Sequence, residues 1–393
     1  MKLKKLATAA LAMTFVLSGC GGLSLIHIFF MKLSAELSNR DHKGGEMMQK
    51  KTYCALDIAK FMSAFLVICI HTGPLLDINE TANFVLVQII ARIAVPLFFI
   101  ISGYLFFAKL DNEREWNDYA NVTALKHYVF RLGKLYLIWS IFYLPFNYLL
   151  VRGDGLHAMT FLRYLRDFFF TGSYYHLWFL PALMVAVCAV YVLRRYVSLT
   201  TTIIISALLY LIGMLGNVYP QMIEELPYIG RAYHYYIQLF VTTRNGIFFG
   251  MLFISLGAYF AQGRMVVSRS TLGPFIGFVL SLCALFGECF FLREQGYMHD
   301  LASMYLMLVP TVAFLFITLL SIDLKVKELY KTLRVLSLLI YVSHLMFVVV
   351  VTALFPTMNA LLQYGIVALS SLLFALIIYT LAKHFPIFKH LYA

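Results

Sequence analysis

The stretch LDIAKFMSAFLVICIHT, residues 56–72, decides how the rest of the chain is read. It is long and apolar enough to cross most of a hydrocarbon core of about 30 Å, yet it carries a lysine and a histidine. Lys60 and His71 stand eleven positions apart. Eleven steps of about 100° return to within about 20° of the starting direction, so both side chains lie on one helix face, about 16 Å apart along the axis. They are too far apart to touch, but they mark two depths of one channel. Gly73-Pro74 then ends the helix.

Comparable apolar runs recur through the chain. The protein has 393 residues, 62% hydrophobic and 13% charged, with 35 Phe and 26 Tyr. Soluble domains carry about 25% charged residues, so the composition indicates an all-α polytopic membrane protein. Ten transmembrane helices are expected, at 56–75, 84–108, 127–150, 176–193, 199–216, 237–261, 272–292, 301–322, 334–355 and 360–382. Several contain proline (Pro96, Pro145, Pro181, Pro310), which membrane helices tolerate where neighbours satisfy the freed carbonyls. Residues 157–173 read instead as an amphipathic segment at the interface.

The net charge of +12 lies in short loops between apolar runs, which reads as topology rather than as a nucleic-acid surface. Alternate loops collect fifteen Lys and Arg on one side, from Lys50 and Lys51 to Lys383 and Lys389. The other side collects five: Arg152, Arg163, Arg166, Arg231 and Arg293. The positive-inside rule then puts both ends of the helical body in the cytoplasm. Six cysteines show neither CxxC nor zinc-like spacing, so no metal and no disulfide framework is expected.

The beginning of the sequence conflicts with that topology. Lys2, Lys4 and Lys5, an apolar run and Leu17-Ser18-Gly19-Cys20 have the layout of a secretory signal ending in a lipid-modified cysteine. Cleavage there would start the body outside and invert every later loop. Leu23-Ser24-Leu25-Ile26-His27-Ile28 resembles a translated transposon sequencing adapter, and Lys43-Gly44-Gly45-Glu46 a ribosome-binding site read as protein just before Met47-Met48. The expectation is that residues 1–46 are a spurious leader and that 47–393 form the membrane domain.

Function in such a chain is sought in the polar groups within spans. An imidazole as deep as His71 suits general-base work, though spacing alone allows it equally to donate to a neighbouring carbonyl. Lys60 read alone is a snorkelling lysine. Arg131 and Lys134, one turn apart where the third helix opens, either bind phosphates as a pair or anchor the helix. Arg92 sits among Val85–Ile90 and Ile93–Ile101 and requires a partner, with Glu288 and Asp57 as candidates. Arg244, Glu288 and His344 complete the set without an assigned role. In VPLFFIISGYLFF (95–107), Ser102-Gly103 permits close helix packing, and the His and Trp of HLWFLP (176–181) suit an aromatic belt.

Taken in order, LDIAKFMSAFLVICIHT (56–72), VPLFFIISGYLFF (95–107), RLGKLYLIW (131–139), YYHLWFLPALM (174–184) and LLIYVSHLMF (338–347) resemble the bacterial membrane acyltransferase-3 family. This family includes O-acetyltransferases of cell-surface polysaccharides. The nearest subgroup resembles the membrane half of vancomycin-resistance serine racemases. The resemblance implies a catalytic histidine, matched by His71. It also implies an arginine eleven positions earlier, where this chain has Lys60, and an Arg-x-x-Arg pair, here Arg131-x-x-Lys134. Lysine keeps the charge at both places but loses the bidentate fork.

The implied reaction moves an acyl group, acetyl above all, from cytoplasmic acyl-CoA to a hydroxyl of a glycan or other extracytoplasmic or membrane-associated acceptor. The site is the bacterial cytoplasmic membrane. CoA phosphates would lie near Lys60, Arg131 and Lys134. His71 would act as base or first take the acyl group itself. Apart from the resemblance, Arg92 is expected to hold the oxyanion, because a buried donor acts strongly in low dielectric. The rival expectation is a small-solute transporter, of a serine-like amino acid for example.

Overall fold

The computed structural model describes residues 53–111, 116–151, 157–220, 223, 226–262, 271–299 and 301–393. The leader 1–46 and the loop cations Lys50, Lys51, Arg114, Arg152, Arg264 and Arg269 lie outside them. Among the described residues the chain is all helix, with no strand. Seven helices are long and apolar enough to cross a membrane: α1 (Cys54–Thr72), α2 (Glu80–Phe107), α3 (Tyr119–Val151), α6 (Leu199–Val218), α9 (Leu272–Glu294), α11 (Glu328–Leu354) and α12 (Ala360–His384). Three shorter apolar helices complete ten apolar segments: α5 (Phe179–Arg194), α8 (Gly246–Ala261) and α10 (Leu308–Ser321). The molecule is a polytopic membrane protein. Its outer surface is apolar where lipid must lie, as at Ile141, Leu208 and Ile377, which are all exposed.

The helices end for local reasons. α1 stops at Gly73, whose left-handed φ of 56° lets its N–H cap the Cys69 carbonyl. α2 is wound unevenly: a wide π turn over Val85–Ile90 is followed by a tight 3₁₀ turn over Ala91–Ile93, then regular helix from Ala94. Such a bulge rotates the residues after it and commonly marks a functional position. Here it turns Arg92 inward and buries it. Below it, α2 and α8 touch backbone to backbone. A Cβ on Gly257 would stand 2.4 Å from the Ile100 carbonyl, and one on Gly103 2.7 Å from that of Ile254. The small residues expected to permit close packing do so.

Two expected spans are interrupted. Residues 237–261 are not one helix. An amphipathic helix α7 (Pro227–Phe240) ends at Val241, which has a φ of 63°, a strained conformation for a β-branched residue. Asn245 then starts α8 by accepting from the N–H groups of Ile247 and Phe248 at 3.0 and 3.1 Å. The second is 301–322, which becomes helical only at Leu308. Its non-helical first part is held by side chains instead. Asn217 Oδ1 accepts from Ser303 and Met304 N–H at 2.8 and 3.0 Å. The two oxygens of Glu288 accept from Leu306 and Met307 N–H, each at 2.7 Å. Hydropathy reads through both breaks because the residues stay apolar while the backbone changes.

The expected interfacial segment is a helix, α4 (Ala158–Phe170), with Phe161 and Leu162 exposed. α7 lies against it, with Phe170 and Phe240 rings 5.1 Å apart.

Glu288→Ala leaves two buried N–H groups unpaired and is expected to cost about 3 kcal/mol. Glu288→Gln, which keeps one acceptor, costs less. Thermal unfolding in detergent checks the order: wild type highest, Gln intermediate, Ala lowest.

Candidate active site

α8 and α10 start late, after the breaks described above, near the end of α1. A pocket of about 40 Å³ opens there, lined by His71, Arg92, Tyr175, His176, Arg244 and Tyr341 among others. That volume holds roughly three water molecules. Tyr175, 51% exposed, stands at its rim.

Three imidazoles meet at this pocket. The His71 ring lies 5.2 Å from that of His344, and His344 lies 5.0 Å from His176. Their hydrogen bonds set the tautomers of two of them. His344 Nδ1 lies 2.6 Å from the Tyr341 carbonyl, an acceptor only, so Nδ1 carries the hydrogen and the neutral ring presents a lone pair at Nε2. His176 Nε2 donates to the Val342 carbonyl at 3.1 Å, leaving the lone pair on Nδ1. Among the described residues, neither of these buried lone-pair nitrogens has a hydrogen-bond partner. Tyr175 packs edge-on to His71 at 5.3 Å.

Arg92 is bound by its own helix. Gln88 Oε1, on the π turn four residues earlier, accepts from Nε at 3.0 Å and Nη2 at 2.6 Å. The carboxylates of Asp57 and Glu288, expected as candidates for that role, are occupied elsewhere. Arg244 lies over Trp178 with its guanidinium carbon 4.9 Å from the ring centre.

A second, larger cavity of about 630 Å³ opens at the other end of α1. Lys60, Lys109, His127, Arg131 and Arg334 line it, over apolar walls from α2, α3, α5 and α11. Asp57, 2% exposed, ties two of its lining cations together. Its two oxygens accept a fork from Arg334 at 2.9 and 2.7 Å, and Lys60 lies 3.3 Å from one of them. Lys134 is not part of this lining, since its ammonium turns to His390 Nδ1 at 2.7 Å.

Thus Lys60 and Arg131 share one cavity, and His71 and Arg92 share another. Tyr341 lines both. Its ring packs against Phe98 at 6.0 Å and Phe179 at 5.6 Å, and those two pack against each other at 6.0 Å. Three aromatic side chains therefore stand between the chambers, and the Tyr341 hydroxyl is tied to the His176 carbonyl.

Sequence reading did not assign Tyr341, although it lies in the quoted LLIYVSHLMF stretch. It took His176 for a belt residue and Arg334 for a loop cation. Their partners come from α1, α3 and α11, remote in sequence, so the spacing along the chain held no signal. Among the described residues no cluster of side chains is arranged to hold a metal ion.

Comparison with known proteins agrees with this architecture. Residues 54–380 match the family described as an acyltransferase domain, Acyl_transf_3. The chain belongs to that family. Two relatives in Enterococcus faecalis, each named "Amino-acid racemase", are 29% identical over 338 residues and 30% identical over 273. These alignments cover 85% and 69% of this chain but 47% and 36% of the relatives. A "Serine/alanine racemase" of Enterococcus gallinarum is 32% identical over 267 residues, 66% of this chain and 36% of that protein. The chain thus spans less than half the length of these curated relatives. No solved structure matches it.

Tyr341→Ala is expected to join the two chambers. With Val95→Cys as a reporter in the small pocket, a water-soluble maleimide applied to the Lys60 side should label residue 95 at least tenfold faster when Tyr341 is alanine. Peptide mass spectrometry reads that position apart from the native cysteines.

Proposed function

We infer that the protein moves an acyl group, acetyl in the simplest case, from acyl-CoA in the Lys60 chamber to an acceptor hydroxyl in the His71 pocket. The observation that carries this reading is the pair of chambers divided by Tyr341 and its aromatic neighbours, one cationic and wide, the other narrow and rich in imidazole. The fifteen-to-five loop asymmetry supports a cytoplasmic Lys60 chamber in a bacterial cytoplasmic membrane.

In this reading Lys60, Arg131 and Arg334 attract the phosphates of CoA, and the apolar walls take its thin pantetheine arm. Displacement of the Tyr341 ring lets the thioester carbonyl reach His71. His71 takes the proton as the acceptor oxygen attacks that carbonyl. Arg92, fixed by Gln88, stabilises the oxyanion in a site of low dielectric. The intermediate collapses by breaking the C–S bond, and His71 returns the proton to the leaving thiolate. The His344 ring stands beside His71 with centroids 5.2 Å apart and limits where that ring can turn. Lys134 has a lesser role here than Arg131, because it faces His390. A surface glycan is one acceptor that fits an opening beside Tyr175.

One observation favours the second reading, a solute transporter. α8 and α10 are preceded by non-helical stretches within expected spans, a feature of transporter binding sites.

Reconstituted liposomes separate the two. With acetyl-CoA supplied, free CoA should appear for wild type and fall at least a hundredfold for His71→Ala, while CoA still binds. Arg131→Gln should raise KM about tenfold with kcat little changed. No release by wild type and no binding of CoA would overturn the enzymatic reading and leave solute uptake to be measured.

A further inference from the structure

Of the three cations expected to hold phosphate, Lys134 alone stays outside the lining of the Lys60 chamber. Its ammonium lies 2.7 Å from His390 Nδ1. An ammonium only donates, so Nδ1 accepts and the His390 ring is bound through its lone pair. Such a pair cancels no charge. What it fixes is the position of His390.

His390 belongs to the segment that follows α12. Pro386 has no N–H with which to continue that helix, and after Phe385 the chain forms a 3₁₀ turn over Pro386–Leu391. The turn comes back to α3. The Trp139 indole, 1% exposed, donates to the Leu391 carbonyl at 3.0 Å, one helical turn or so beyond Lys134. Two consecutive residues, His390 and Leu391, are thus tied to α3, one at the surface and one in the interior. The next two, Tyr392 and Ala393, line the Lys60 chamber. Backbone bonds carry the constraint forward, since the Tyr392 and Ala393 N–H groups both donate to the Lys389 carbonyl, at 3.1 and 2.8 Å. Pro386, Ile387, Lys389 and His390 are exposed, so the turn depends on its anchors more than on packing. One piece of the chamber wall therefore belongs to no spanning helix, and two α3 side chains set its direction.

We propose that Lys134 is a positioning residue for the acyl donor: through His390 it holds the 386–391 turn on α3, so that Tyr392 closes the wall of the Lys60 chamber over bound CoA. That CoA is the ligand rests on the acyl-transfer reading; the anchoring of the wall does not.

The full chain in nanodiscs, titrated with radiolabelled CoA, tests the first part. Lys134→Met and His390→Phe should each weaken binding about fivefold, and the double variant should be within about twofold of either, because one contact is lost once. Lys134→Arg can still donate to His390 and should stay within about threefold of wild type. With acetyl-CoA the same ratios should appear in KM, with kcat within about twofold. A lysine that held phosphate itself would lose affinity in Lys134→Met while His390→Phe bound normally. That result overturns the proposal, and so do losses that multiply in the double variant.

The wall is read without CoA by Tyr392→Cys, labelled with a water-soluble maleimide and followed by peptide mass spectrometry. Adding Lys134→Met should speed labelling at least fivefold, and saturating CoA should slow it at least fivefold where Lys134 is intact. Unchanged labelling in Lys134→Met, or no protection by CoA that binds, overturns the proposal. If wild type binds no CoA while Lys134→Met still speeds labelling, the anchored wall stands and the acyl-CoA reading fails.

Discussion

Two hydrogen bonds that the amides of Leu306 and Met307 donate to Glu288 make the polar interior possible. In lipid, backbone N–H groups must be satisfied by protein, so a span cannot simply unwind. Glu288 supplies two acceptors where α10 begins late, and Asn217 supplies another for Ser303 and Met304. At α8, Asn245 does the same for Ile247 and Phe248. Each brace supports a stretch where the chain is not helical, beside the space in which Arg92, Arg244 and the three histidines gather. A carboxylate that chemistry alone would nominate for catalysis here serves architecture.

The second organising contact is Asp57 with Arg334 and Lys60. It ties α11 to α1 at the end opposite His71. Since Tyr341 and His344 lie two and three turns further along α11, this clamp also sets where they stand relative to His71. The partition between chambers and the histidine pair are thus two outcomes of one helix pairing.

The sequence was a good guide wherever composition or periodicity carries the information. The ten apolar segments, the interfacial helix and the separation of Lys60 from His71 followed from hydropathy and a helical repeat. The family followed from five short motifs. What could not be read was the break inside an apolar run. Val241 and the 301–307 stretch stay hydrophobic while leaving helical geometry, and their braces come from helices distant in sequence. For the same reason Arg92 was matched with Glu288 or Asp57, when an uncharged residue one turn away on its own helix, Gln88, holds it. A loop-cation count likewise gave no hint that Arg334 belongs to a cavity, or that Lys134 turns from it toward His390.

The ring layer of Phe98, Phe179 and Tyr341 has an electrical side. Where water-filled chambers approach from both ends, the insulating part of the membrane narrows to what separates them, and the transmembrane voltage falls across that short distance. A full charge moved through it does work of about 2.3 kcal/mol per 100 mV. In the acyl-transfer reading proposed above, a neutral acyl group would cross without electrical work, while the phosphates of its carrier, or a proton, would not. On that reading the same three rings would sort what passes by charge as well as by girth, so that material could be handed across an energised membrane without discharging it.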